Sequence, residues 1–456
     1  MVLKRNNIFS LIAAIALAAT GLFSCSPVDV DFTFSPNPGR TDNDVMRAPS
    51  EDYRNVFIVY SMGFNDLTGY LRDDINDLLS SPLMKSQRDI LLICSHFSNG
   101  TKFNKLTKPT LTKVCRNEDG EIVKDTLMIM PETTNIANKE TLRQILTYTK
   151  DNFEAQTYGI LLSSHGSGWA PAGYINNPSK FENGTVGDDY FMSAAQRTSS
   201  QMAETPVYNM GRPDEIPVKS MGVHCLSEYV TVEMDITELA EAFPFKMDYI
   251  IFDACYMGGI EVAYQLRNVT EMLVASQTEI LAMGMDYKTM TTYLFDPYGP
   301  DLEGLCRRYY EYYDAESGTY RSATISLIDC SRLESLAQVS RDIFSRYRTG
   351  LDALQNTRDV QKYFRSSYET RTKQQWYFDF ADIVENCGLS REDLDIFHDA
   401  LNEAVIYKAA TEYFMSNIKI ERHSGLSMYL PMLEKREYLN NFYKTLEWNK
   451  VTGLVQ

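Results

Sequence analysis

Two short stretches hold the residues that could do chemistry. GILLSSHGSGW, Gly159 to Trp169, ends an apolar run with two serines, His165 and a pair of glycines. YIIFDACYMGGIEVAYQL, Tyr249 to Leu266, ends another apolar run at Asp253-Ala254-Cys255, and Gly258 and Gly259 lead into a helical pattern. A cysteine at a strand end, close before a helix, is expected to be partly exposed and in a positive local field. Both favour the thiolate, which is the nucleophilic form. An imidazole from a neighbouring strand end would complete a nucleophile and acid/base pair, with His165 in the second role and Cys255 in the first. Acyl transfer also needs N–H donors aimed at the developing oxyanion. A glycine beside the histidine lets backbone approach the substrate, so the N–H groups of Gly166 and Cys255 are the expected donors. The competing reading of Cys255 is a buried small hydrophobe.

The same chain carries a control. ILLICSHFSNG places His96 after a similar apolar run, but Phe97 follows it rather than glycine. His96, His224, His398 and His423 are therefore read as structural. Trp169 either walls the cleft or packs in a loop. Among other chemistries, a serine hydrolase is disfavoured because there is no G-x-S-x-G elbow. A zinc enzyme lacks Cys/His ligand spacing, and a nucleotide-binding loop G-x-x-x-x-G-K-[ST] is absent.

The elements that must position these residues alternate. RNVFIVYSM, DILLICS, TLMIM, YGILLSS, KMDYIIFDAC, EMLVAS and SATISLID read as short strands. Helical patterns run from Leu67 to Leu79, through NKETLRQILTYTKDNF with Asn138 as its cap, and through DITELAEAF. This pattern predicts an α/β fold with a mainly parallel sheet covered on both faces, and ligands in such sheets bind outside the carboxyl ends of the strands. Pro171 to Val223 is polar and without period, a long loop of the kind that carries function or disorder. Beyond Ser331 helices dominate, in LESLAQVSRDIFSRYRTGLDAL and EDLDIFHDALNEAVIYKAAT, with one late strand, GLSMYL.

Composition narrows the partners. The 456 residues carry a formal net charge of −17, which argues against nucleic acid. Lys4 and Arg5 followed by the apolar run Ile8–Phe23 read as a signal peptide over residues 1–24. Cys25, just past it, resembles the lipidated cysteine of bacterial lipoproteins, and Ser26 after it points to outer-membrane sorting in the cell envelope. Residues 25–52, rich in Pro, Asp and Ser, are expected to be a lipidated flexible tether. An α/β domain over 53–330 and a helix-rich region over 331–456 follow. The seven remaining cysteines form no CxxC pair and are odd in number, so at least one thiol is expected to be free.

SHGSGW together with FDACYMGG resembles the clostripain-like cysteine peptidases. VASQTE, YFDFADIVENCGL and HSGLSMYLP fall in the order of that family's later signatures. The resemblance covers most of the chain from about Arg54 to Pro431 and implies the caspase-like three-layer sandwich shared with legumains, gingipains and caspases. It implies a cysteine endopeptidase acting on peptides or proteins, with His165 as general base and acid and Cys255 as nucleophile. It implies that Asp253 lines the pocket for a P1 Arg or Lys, to which a partly desolvated carboxylate is suited. The alternative role for Asp253 is to cap the following helix. Self-cleavage in the loop between histidine and cysteine is also implied, with Lys180, Arg197, Arg212 and Lys219 as sites and Lys180 expected first. No cofactor is required. Calcium enters by resemblance alone, and Asp188-Asp189 reads as a solvated turn rather than its site. TEILAMGMDY, after Gln277, lacks the proline and tryptophan usual there, and this departure supports the alternative of an inactive peptide-binding lipoprotein of the same fold.

Overall fold

The computed structural model describes residues 54–82, 84, 86–98, 107–175, 178–184, 218–219, 224–227, 230–354, 360–364, 375–431 and 436–456. The segments read as signal peptide and tether through residue 52, with Cys25, and also Asp188-Asp189, Arg197 and Arg212 lie outside them.

Nine strands of the described residues form one sheet. In chain order they are β1 (Asn55–Gly63), β2 (Ile90–Phe97), β3 (Thr110–Arg116), β4 (Ile122–Ile129), β5 (Thr157–Ser163), β9 (Met247–Asp253), β10 (Thr270–Ala275), β12 (Thr324–Asp329) and β14 (Val405–Ala410). Their spatial order is β14-β12-β10-β9-β5-β1-β2-β3-β4. The run β10-β9-β5-β1-β2 is parallel, and the strands added at either flank are antiparallel. Small ladders lie outside the sheet: β6 (Val218–Lys219) with β11 (Ile280–Leu281), β7 (His224–Ser227) with β8 (Val230–Val232), β13 (Phe378–Asp379) with β17 (Ser427–Met428), and β15 (Tyr413–Phe414) with β16 (Ile418–Lys419).

The parallel strands are apolar on both faces, and each face has its own helical layer. Val56, Ile58, Tyr60, Ile160 and Ile250 pack with Leu142, Ile145 and Leu146 of helix Lys139–Asn152 and with helices Ile236–Ala242, Ile260–Leu266 and Leu333–Arg346. Phe57, Val59, Leu161 and Ile251 face helices Thr68–Ser80 and Leu302–Asp314 through Ile75, Leu78, Leu305 and Tyr309. Fully burying one such aliphatic side chain contributes roughly 1.5–3 kcal/mol, so the two faces together commit the chain to the three-layer arrangement. Asn138 caps its helix as expected, accepting from the N–H groups of Glu140 and Thr141. Among the described residues no helix is long and apolar enough to cross a membrane.

Two parts of the sheet differ from the expectation. TLMIM is the end of β4, the outer arm of a hairpin whose inner arm, β3, has too mixed a pattern to stand out. VIYKAA, read as the end of a helix, is β14: helix Arg391–Ala404 stops there, and the chain pairs antiparallel with β12 as the edge of the sheet. The stretch from Ser331 onward is thus built into the central sheet.

A candidate active site at three strand ends

β1 leads to β2 on one side, and β5 leads to β9 on the other. The direction of strand succession therefore reverses between β1 and β5, which is where an open α/β sheet forms a crevice at its carboxyl edge. Ser61, Ser163 and Asp253 stand in register across β1, β5 and β9. Just past them come Asp66, His165 and Cys255.

His165 is almost completely buried, and its Nε2 lies 2.5 Å from Oδ1 of Asp66. Desolvation pushes the Asp66 carboxyl up, but the charge and hydrogen bond of His165, with the N–H groups of Asp66 and Leu67, outweigh it and hold it below its ordinary value. Gly166 then passes against the cysteine. A Cβ at Gly166 would lie 2.3 Å from the Cys255 carbonyl oxygen and 2.7 Å from its nitrogen, so only glycine allows the two loops to meet. The Gly166 N–H makes no hydrogen bond among the described residues.

The expectation of a partly exposed cysteine at a helix N-terminus is not met. Cys255 is completely buried. Its Sγ accepts a hydrogen bond from the Ile280 N–H at 3.2 Å and lies 3.8 Å from the Ile280 carbonyl. The helix begins only at Ile260, with Gly259 at its cap position, because Tyr256 to Gly258 are spent on a turn. Tyr256 has φ of 61°, a left-handed conformation that costs a non-glycine residue energy. The turn is held by Tyr256 N–H to the Thr278 carbonyl (2.9 Å) and Gly258 N–H to the Ser276 carbonyl (2.7 Å). TEILAMGMDY, the segment that departs from the family pattern, thus supplies the backbone that covers the sulfur.

Asp253 is also completely buried. Its Oδ2 accepts from Ser163 Oγ at 2.8 Å and from the Tyr287 hydroxyl at 2.5 Å. Burial, then the Asp253 charge, raises the Tyr287 phenol well above its ordinary value. The capping alternative fails, since Gly259 holds the cap position of that helix without any side-chain bond. The Tyr309 hydroxyl is buried with no hydrogen-bond partner among the described residues. Its phenol is raised by burial first and then by Asp253 and Cys255. A buried polar cluster of one carboxylate and phenolic hydroxyls thus lies close to the cysteine. On the other face an apolar recess beside His165 is lined by Met62, Met234, Phe252 and Met257.

Sequence reasoning missed Asp66, Tyr287, Ile280 and Tyr377. Tyr377 donates its hydroxyl to the Ser167 carbonyl and stacks on Tyr256 at 4.6 Å between centroids, tying the histidine loop to the cysteine loop. It opens YFDFADIVENCGL, the one signal that pointed near it. Trp169 is completely buried against Tyr429 and Tyr443, so it packs in the core rather than walling the cleft.

The other histidines stand apart. His96 bonds the Thr107 carbonyl at 3.0 Å and stacks on Phe64, and burial lowers it to about 4. His398 faces Glu385. His423 meets the Tyr363 hydroxyl, and burial, then the charge of Lys408, lowers it to about 3. The side chain of His224 lies outside the described residues. Cys94, Cys115, Cys255, Cys306, Cys330 and Cys387 are free thiols. Burial raises Cys94 and Cys306 far above the ordinary thiol range and, as the leading cause, Cys330 and Cys387 to about 12. Lys180 is exposed on the short helix Pro178–Glu182. Lys219 pairs through its backbone with Ile280. Among the described residues no three acidic, histidine or cysteine side chains are grouped to hold a metal.

A model of the clostripain family matches residues 59–183 and 219–453. Clostripain of Hathewaya histolytica is 23% identical over 346 residues, 66% of this chain, and the match spans 58% of that protein's length. An inactive zymogen C11 protease from Parabacteroides distasonis is similar in structure, with a TM-score of 0.65 and 26% identity over 89% of this chain and 98% of that one. Iotapain, a secreted C11 cysteine protease from Bacteroides thetaiotaomicron, aligns with the same TM-score and identity over 88% and 99%. With its caspase-like sandwich and with both site loops inside the matched segments, the chain belongs to the clostripain family.

Proposed function

We propose that the chain is an exported cysteine endopeptidase, anchored by lipid at Cys25 and cleaving after Arg or Lys. The observation that carries the reading is the contact of Gly166 with the Cys255 backbone, which brings a histidine loop and a cysteine loop together at the crevice. In the proposed reaction His165 takes the Cys255 proton, and the sulfur attacks the scissile carbonyl to form a tetrahedral oxyanion facing the N–H groups of Gly166 and Cys255. Collapse breaks the C–N bond, His165 protonates the departing amine, and water admitted in its place hydrolyses the thioester. Asp253 supplies the charge that selects a cationic P1 side chain, with Tyr287 as a neighbouring hydroxyl. The cover of Ile280 over the sulfur supports a chain not yet activated, since attack requires that segment to move.

Self-cleavage belongs to the same proposal. Peptidases read extended backbone as an added strand. Lys219 lies extended beside Ile280, whereas Lys180 is helical, which favours Lys219 as the first cut. The burial of Cys255 equally suits a catalytically silent peptide-binding lipoprotein. Hydrolysis of Arg and Lys amide substrates by the purified chain beside Cys255→Ala and His165→Ala separates the two. The peptidase reading expects both variants to lose nearly all turnover, because the pair acts as a unit, while His96→Ala keeps it. Equal activity in wild type and Cys255→Ala would refute it.

A further inference from the structure

The proposed proton transfer and attack use two side chains, and the crevice holds a further group in contact with one of them. We infer that Asp66 is a positioning residue, which holds the His165 ring through Nε2 and steadies it whenever it becomes imidazolium; the inference rests on the assignment of His165 and Cys255 above. The contact is direct, 2.5 Å from Oδ1 to Nε2. With Nε2 committed to Asp66, proton exchange with the sulfur and the leaving amine falls to Nδ1. A carboxylate on the far nitrogen selects the tautomer and favours the charged ring at the step where the proton has left the thiol.

The placement of Asp66 is specific. It follows β1, the strand next to the central strand β5, on the other side of the crevice. Its turn is fastened on both sides: Asn65 Nδ2 donates to the Met62 carbonyl at 2.9 Å, and the Leu67 N–H donates to Asn65 Oδ1 at 2.9 Å. Leu67 is buried, and helix Thr68–Ser80 starts directly after it. The carboxylate therefore reaches His165 from a rigid base. Its side chain is 30% exposed while that of His165 is 3% exposed, so the pair is approached from the Asp66 side. Removing the carboxylate in Asp66→Ala leaves its place at this partly exposed position for a small anion to be tested in.

The test uses the full-length protein after any self-processing. Asp66→Ala is expected to lower kcat by about tenfold to a thousandfold with KM nearly unchanged, since the carboxylate does not touch substrate. Sodium formate, compared with sodium chloride at equal ionic strength, is expected to restore part of kcat in Asp66→Ala and none in His165→Ala. Asp66→Asn keeps the shape without the charge and is expected to be slow and insensitive to formate. Near-ultraviolet circular dichroism confirms that the variants fold. If Asp66→Ala disturbs the turn, Asp66→Asn decides alone. A folded Asp66→Asn with kcat within about twofold of wild type overturns the inference, as does a slow Asp66→Ala that formate leaves unchanged. Full activity in His165→Ala or Cys255→Ala would overturn the assignment beneath it instead, so the two failures are distinguishable.

Discussion

Glu261 is the most sharply testable residue outside the crevice. It opens the helix after the cysteine turn and is completely buried. Its Oε1 accepts from the Tyr429 N–H and the Tyr443 hydroxyl, both at 2.7 Å, and its Oε2 has no partner among the described residues. Burial raises the carboxyl from 4.5 to about 7, against the pull of those two donors and of its own N–H. Because the folded chain binds this proton more tightly than the unfolded chain, its contribution to stability is fully present below pH 4.5. It is lost as pH rises through 7. At about 1.4 kcal/mol for each pH step, roughly 2–3 kcal/mol disappears between pH 5 and pH 8. Wild type alone will not display this, because His96 and His423 work the other way. Both are lowered in the folded chain, so they destabilise it as pH falls below 6.5. Glu261→Gln retains an acceptor for both donors and removes the titration. Urea melts of wild type and Glu261→Gln at pH 5 and pH 8 isolate the effect. The stability of wild type relative to the variant is expected to fall by about 2–3 kcal/mol from the lower to the higher pH. A difference that stays constant within about 0.5 kcal/mol, the scale of an ordinary neutral substitution, would refute the argument.

Three further outcomes are expected. Gly166→Ala forces a methyl group into the Cys255 backbone and should cut kcat by at least tenfold with the fold intact; unaltered turnover would show that the loops need not touch. Asp253→Asn should depress turnover of Arg and Lys substrates far more than that of neutral ones, read from a P1 peptide library. A library cleaved after Asp or Asn by wild type would remove the role assigned to Asp253. Mass spectrometry of wild type should find a cut after Lys219 that is absent from Cys255→Ala, and Lys219→Ala should delay processing; an intact wild-type chain at full activity excludes self-activation.

The parallel strands were legible because each is a short apolar run ending in polar residues, and both site loops announce themselves through glycines. The covering of Cys255 was not legible. It depends on Ile280, 25 residues away, and on a left-handed Tyr256 that no local pattern signals. Asp66 follows a plain strand end, and only the pairing of β1 with β5 gives it His165 as a neighbour. VIYKAA was hidden for the opposite reason. It continues a strongly helical segment without a breaker, and the β12 edge overrides that local preference.

Tyr377 also bears on the order in which the protein comes into being. Translation delivers the His165 loop first, the Cys255 loop some ninety residues later, and Tyr377 more than a hundred residues after that. Only then can one hydroxyl reach the Ser167 carbonyl while its ring lies on Tyr256. A ribosome-bound chain halted before Tyr377 owns both loops but lacks the brace between them, and its Tyr256 lacks the ring that lies on it at 4.6 Å. Premature termination before Tyr377 would therefore release fragments in which the two loops, although they leave paired strands, lack that brace.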